Sequence, residues 1–210
     1  MPPTKVQRVT TTSRKDSSDN PSPRVQRRQQ RTRQAILDVA TEQFASKSYA
    51  TVSVEQIIEA ADISRGTFYR LFKDKQEVLA EILRPLMEMY GSELAGIDTT
   101  DPREVIDRII DVYIRIWREA PTAFSLSQKD SVGFFHLIEN SHRPAMIQMQ
   151  RLFKLVEPHD ILRADKAEDA LALMARSAVV ILRVYDGHPE WERLFADSMR
   201  GLLLKNDRPV

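Results

Sequence analysis

The sequence predicts an all-α protein built in two parts, on three observations. Apolar residues recur at three- and four-residue spacing from about Val25 onwards, two-residue alternation of apolar and polar residues is absent, and glycine is scarce, at 6 of 210 residues. That length accommodates one module of about fifty residues beside a larger one. Apolar residues at 42% and charged residues at 29% are near the values for soluble globular proteins, so a packed core is expected. There is no cysteine, which excludes disulfides, thiolate metal sites and cysteine nucleophiles. No run approaches the length of a membrane span, and the N-terminus lacks the apolar stretch of a secretory signal. A soluble, cytoplasmic protein is the expectation, with no membrane partner.

The elements follow in order. Met1 to about Pro23 is rich in Thr, Ser, Pro, Asp and Asn, a composition that buries too little apolar surface to offset ordering entropy, so a disordered tail is expected. The tail and the start of the first helix are basic. Nine cations (Lys5, Arg8, Arg14, Lys15, Arg24, Arg27, Arg28, Arg31 and Arg33) face only Asp16 and Asp19, although the whole chain carries a net charge of +1. Concentrated positive charge suits a polyanion. Ile36, Leu37, Ala40 and Phe44 define a first amphipathic helix ending near Lys47. Ser53 with Gln56 forms a capping-box pattern for a short second helix whose apolar face is Val54, Ile57, Ile58 and Ala61. After Asp62 and Ile63, Ser64 is the N-cap of a third short helix, in which Phe68 and Phe72 point inward together.

A fourth helix is expected from Asp74 to about Tyr90, with Pro85 inside it removing a hydrogen bond and kinking it, and Gly91 to Thr100 reads as a linker. Asp101-Pro102-Arg103-Glu104 opens a fifth helix with a wide apolar stripe from Val105 to Trp117, stopped by Pro121. Further helices are expected at Ala123 to Asp130, Phe134 to Val156, Asp165 to Tyr185 with a capping box from Asp165 to Glu168, and Pro189 to Lys205. The domain reading is a disordered basic arm at 1–28, a small helical domain at 29–90 and a larger helical domain at 91–210.

Two short apolar-faced helices around a turn of fixed length serve to present the second helix. On that helix Ser64, Arg65, Gly66, Thr67, Tyr69 and Arg70 point away from the phenylalanine face, with Lys73 and Lys75 beyond its end. Arginine pairs with guanine N7 and O6, threonine offers a hydroxyl and a methyl, and glycine lets the backbone come close. Base readout therefore falls on Arg65 and Thr67, and secondarily Arg70; Tyr69 and Lys75 suit phosphate oxygens, as does Ser53 with the N–H groups of its helix start.

At these residues the chain resembles the TetR family of regulators, on the pattern Phe44, Val52-Ser53-Val54, then Gly66-Thr67-Phe68-Tyr69-Arg70-Leu71-Phe72-Lys73-Asp74-Lys75. The match covers about Arg33 to Ile82. Asp62 stands at the turn position where the family usually has glycine, and Leu71 where it often has histidine or another polar residue. Aspartate tolerates the left-handed backbone better than most residues, so the turn is expected to form. The resemblance implies a homodimer joined by a four-helix bundle of the last two helices, a near-palindromic operator in double-stranded DNA, repression, and release by a small-molecule effector that swings the fourth helix. It also implies half-sites about 34 Å apart. No enzyme activity, cofactor or metal is expected.

The cluster Arg24 to Arg33, including Arg31 and Arg33, reads either as a solvated tail or as an arm entering the DNA minor groove. His136 and His142, six apart, fall on different helical faces and do not make a metal site. Tyr113, Trp117, Phe134 and Phe135, with His136 or Asn140 and the nearby Met146 and Met149, either line an apolar effector pocket or form core. Arg176 and Arg183 share a face at seven-residue spacing and suggest a dimer seam, with Val180, Leu194 and Met199. Two alternatives to a ligand-responsive regulator are an enzyme, for which no paired catalytic groups are visible, and a DNA-bound protein-recruiting or nucleoid-associated factor without a small-molecule ligand.

Overall fold

The computed structural model describes residues 22–47, 49–129 and 135–205, without the side chains at 128, 129, 135–138, 140 and 141. Met1 to Pro21, the expected tail, lies outside them. Among the described residues the chain is all-helical: α1 (Pro23–Ser46), α2 (Val54–Ala60), α3 (Arg65–Leu71), α4 (Lys75–Ala95), α5 (Pro102–Glu119), α6 (Pro121–Lys129), α7 (Phe135–Val156), α8 (Ala167–Tyr185) and α9 (Trp191–Leu203).

The helix starts follow local chemistry at four places. Ser53 completes a reciprocal capping box with Gln56, and Ser64 accepts from the Thr67 backbone N–H. Asp74 accepts from Glu77, and Asp101 from Arg103 and Glu104. Each such cap is worth about 1 kcal/mol. Four boundaries depart from expectation, the last three through tertiary contact. The first helix begins at Pro23, so Pro23 to Arg28 belong to α1 and not to a loose arm. Gly91 does not start a linker: α4 continues to Ala95, because a Cβ at Gly91 would stand 3.4 Å from the Ala145 backbone nitrogen, so glycine lets α4 and α7 approach. The expected Asp165–Glu168 capping box is absent. Instead α8 starts at Ala167, whose N–H donates to the Glu157 carboxylate at 2.8 Å. Finally α9 stops at Leu203, since Arg163 N–H bonds the Leu203 carbonyl and Lys205 N–H the Ile161 carbonyl, forming a single bridge of Leu162 with Leu204.

α1, α2 and α3 close over Ile36, Ala40, Phe44, Ile57, Phe68 and Phe72, all buried. α4 leaves this module and enters the larger one. It packs on α1 at one end and along α7 over much of its length, while α8 packs on α9 and α7, and α5 on α9. α6 touches both α1 and α4, so it bridges the two parts. Pro85 lies within α4 without ending it.

Candidate DNA interface

The turn between α2 and α3 is built on backbone geometry. Asp62 has φ of 50°, in the left-handed region. Its N–H bonds the Glu59 carbonyl at 3.1 Å and the Ile63 N–H reaches the Ile58 carbonyl at 3.2 Å. This pair of reversed bonds satisfies the last carbonyls of α2 and is the usual helix stop at a left-handed residue. Aspartate thus replaces glycine without loss of the turn.

With Phe68 fully buried and Phe72 nearly so, the opposite face of α3 is turned to solvent. Ser64, Arg65, Gly66, Tyr69 and Arg70 are exposed and Thr67 is half-buried. The Ser64 and Thr67 hydroxyls lie 2.9 Å apart, which fixes both rotamers. Arg65 makes a loose pair with Glu55 at 3.3 Å and stands 5.6 Å from the Tyr69 ring centroid. Both partners are exposed, so the pair is worth little and holds the guanidinium out over the surface without sequestering it. A Cβ on Gly66 would meet nothing closer than the Ser64 hydroxyl at 4.0 Å. Packing within the chain therefore does not require glycine there. Ser53 and Lys73 are exposed beside this face; the Ser53 hydroxyl accepts from Gln56, leaving its own proton to donate.

Two residues assigned to DNA from sequence face inward. Lys75 donates to the carbonyls of Tyr49 at 2.9 Å, Ala50 at 3.3 Å and Val52 at 2.8 Å, and lies 4.5 Å from the Tyr49 ring centroid. An ammonium has three N–H donors, so all are engaged, and Lys75 ties α4 to the segment before α2 instead of meeting phosphate. Arg33 pairs with Glu81, donates to the Leu71 carbonyl at 2.8 Å and lies 4.3 Å over the Phe72 ring. It ties α1, α3 and α4 together. These partners are 23 to 48 residues away in sequence, beyond the reach of periodicity and motif reading.

Arg31 is exposed, as are Arg24, Arg27 and Arg28. Because α1 is helical from Pro23, these four belong to a helix and are exposed on its surface.

Of the effector-pocket residues, Tyr113, Trp117 and Met149 are buried and Met146 is half-buried. Tyr113 packs on Phe124 and Phe195 at centroid distances of 5.5 and 6.4 Å. It accepts a 2.9 Å hydrogen bond from the Tyr90 hydroxyl. Burial pushes both phenols up, Tyr113 to about 12. Phe134 and the side chains of Phe135, His136 and Asn140 lie outside the described residues. Among the seam residues, Arg176, Val180 and Arg183 are exposed and Leu194 half-buried. Arg183 donates to the Ser125 hydroxyl and carbonyl. Met199 has no exposed surface, so it belongs to this protomer's own core and not to a seam. The sequence missed Val184, which is 73% exposed, one turn beyond Val180; its spacing from Val180 was the available signal. Among the described residues no helix is long and apolar enough to cross a membrane, and no three potential metal ligands cluster.

Residues 36–82 match the family model described as bacterial regulatory proteins, tetR family. The chain is 26% identical to the HTH-type transcriptional regulator AcrR of Shigella flexneri over 164 residues, 74% of this chain and 75% of that protein. It is 31% identical over 88 residues to the HTH-type transcriptional repressor KstR2 of Mycolicibacterium smegmatis, 41% of this chain and 40% of that one. In three dimensions it is similar to the crystal structure of a putative tetR family transcription regulator from Shewanella sp. PV-4. The TM-score is 0.65 at 14% identity, covering 83% of this chain and 99% of that one.

Proposed function

Since this chain belongs to the TetR family of helix-turn-helix transcriptional regulators, which are not enzymes, we propose that it binds a near-palindromic operator as a homodimer, represses transcription, and is released by a small apolar effector. The observation that carries the DNA half of this reading is the division of α3 into a buried face of Phe68 and an open face of Arg65, Gly66, Thr67, Tyr69 and Arg70. Arg65 and Thr67 read base edges, Arg70 assists, and Tyr69, Lys73, Ser53 and Ser64 hold phosphates. Repression is supported by the name of the KstR2 relative, a transcriptional repressor.

Dimerisation is supported by the outer face of α8. Val180 is 58% and Val184 73% exposed, large apolar side chains that a partner's α8 and α9 would cover, with Arg176 and Leu194 around them. For the effector, the support is an apolar interior in which Tyr113 and Trp117 of α5 and Met149 of α7 are buried and Tyr113 accepts from the Tyr90 hydroxyl of α4, a composition usual for small-molecule sites.

Genome-wide mapping of bound DNA in the source organism tests the reading. An enriched inverted repeat upstream of genes whose transcription rises when this gene is deleted is the expected result. Bound regions without any shared palindrome would favour a nucleoid-associated or recruiting role and overturn the repressor reading.

A further inference from the structure

The proposed reading uses α3 and leaves the first two turns of α1 without a task. Among the described residues no hydrogen bond or ion pair involves the side chains of Arg24, Arg27, Arg28 or Arg31, and from Pro23 to Leu37 there is no acidic residue. At 100° per residue, positions 24, 28 and 31 share one face with 27 beside it, roughly opposite Ile36, Ala40 and Phe44. Four exposed cations on a rigid stripe repel each other, a cost that a solvated tail would avoid by spreading out. The stripe adjoins the reading face: Val25, Arg28, Gln29 and Thr32 of α1 form one wall of a cleft of about 650 Å³ whose other wall includes Ser64, Thr67 and Arg70.

We propose that the N-terminal turns of α1, through Arg24, Arg27, Arg28 and Arg31, form a second DNA-docking element that grips the phosphate backbone beside the segment read by α3. The inference rests on the reading of α3 as the DNA-facing helix. Charge complementarity and continuity with that face argue for duplex DNA as the occupant. The seven-residue rise from Arg24 to Arg31 is about 10 Å, a length over which B-DNA carries about six phosphates, so acceptors are in excess. Phosphate oxygens are the acceptors that a row of exposed arginines beside the reading face meets first, so the contacts are assigned to phosphate and carry no sequence information. The stripe raises affinity and salt dependence equally on all sequences.

The test uses the full-length protein and two 40-base-pair duplexes, one of random sequence and one carrying a site enriched by the wild-type protein from a random pool. Binding is followed by fluorescence anisotropy as salt is varied. Replacing all four arginines with glutamine, which retains helix propensity and breaks no internal contact, is expected to lower affinity at least tenfold near physiological salt on both duplexes. The magnitude of the log–log salt slope should fall by about two to four per protomer. The ratio of the two affinities should not move, and the corresponding four-lysine variant should keep the wild-type slope. Unchanged slope and affinity in the glutamine variant, with an unchanged helical circular dichroism spectrum, would overturn the proposal. So would loss of affinity on the enriched duplex alone, since that would mean base reading. An Arg65→Ala variant separates the two ideas: it is expected to lose preference for the enriched duplex while keeping most of the slope. Failure of the wild-type protein to prefer any sequence would sink the reading of α3, whereas the glutamine result on the random duplex still decides the stripe.

Discussion

At the scale of the residue, Gly66 and the Tyr90–Tyr113 pair give opposite lessons. Gly66 is exposed on α3 with open space where its Cβ would be. Gly66→Ala should therefore hold or raise thermal stability, by up to about 1 kcal/mol from helix propensity. On the proposed docking the same change would put a methyl between α3 and the duplex, and DNA affinity measured by anisotropy should fall at least tenfold. A variant destabilised and unimpaired in binding would mean that the glycine serves the fold. The tyrosine pair serves the interior. Tyr90 donates to Tyr113, and removing one partner strands a buried hydroxyl, so Tyr113→Phe should cost about 1–3 kcal/mol while the double phenylalanine variant should be nearly neutral. The pH dependence has a definite sign. Burial raises Tyr113 from 10.0 to about 12, so between those values the unfolded chain loses the phenolic proton and the folded chain keeps it. This contribution is complete below pH 10 and is lost as pH rises towards 12, and denaturant titrations across that range should lose this slope in the double phenylalanine variant.

At the scale of the element, legibility followed how local the cause was. Ser53, Ser64 and Asp101 start their helices through partners two or three residues away, and these were visible as patterns in the sequence. The recognition helix itself was legible for the same reason. Its inward phenylalanines and outward arginines are separated by helical periodicity alone. By contrast, α8 is capped by Glu157, ten residues before Ala167, and α4 runs through Gly91 because α7 packs against it. Arg33 and Lys75 show the same limit in the site. The basic cluster put Arg33 on the DNA and position beyond the third helix put Lys75 there, but Glu81, the Leu71 carbonyl and the carbonyls before α2 claim them. Arg33 fixes where α3 sits relative to α1 and α4, and Lys75 ties α4 to the segment before α2. Pro85 bears on that latch: lacking an N–H, it leaves the Glu81 carbonyl without its intrahelical donor, within the residue that holds Arg33. If α4 flexes there when an effector releases the DNA, Pro85→Ala should raise stability by about 1–3 kcal/mol and blunt effector-induced release in a reporter assay. Full release in the variant would remove Pro85 from the switch.

At the scale of the whole molecule, the small module of α1 to α3 joins the larger one through α4 and through α6, which touches both α1 and α4. A change in the packing of α5, α6 or α7 thus has two routes to the recognition helix, and Arg183 adds a link from α8 to Ser125 of α6, near the exposed valines of the proposed seam. Two protomers joined there would offer two α3 helices related by a two-fold axis, which is why the operator should be an inverted repeat with half-site centres about one helical turn, or a multiple of it, apart. Base reading by the outward face of α3 is tested by selecting bound duplexes from a random pool with the purified wild-type protein and with Arg65→Ala. The wild type is expected to enrich one inverted repeat, and the variant to lose preference at a single symmetric position in each half, at a cost of about 1–3 kcal/mol per half-site. An identical motif from both proteins, or no motif from the wild type, would contradict it.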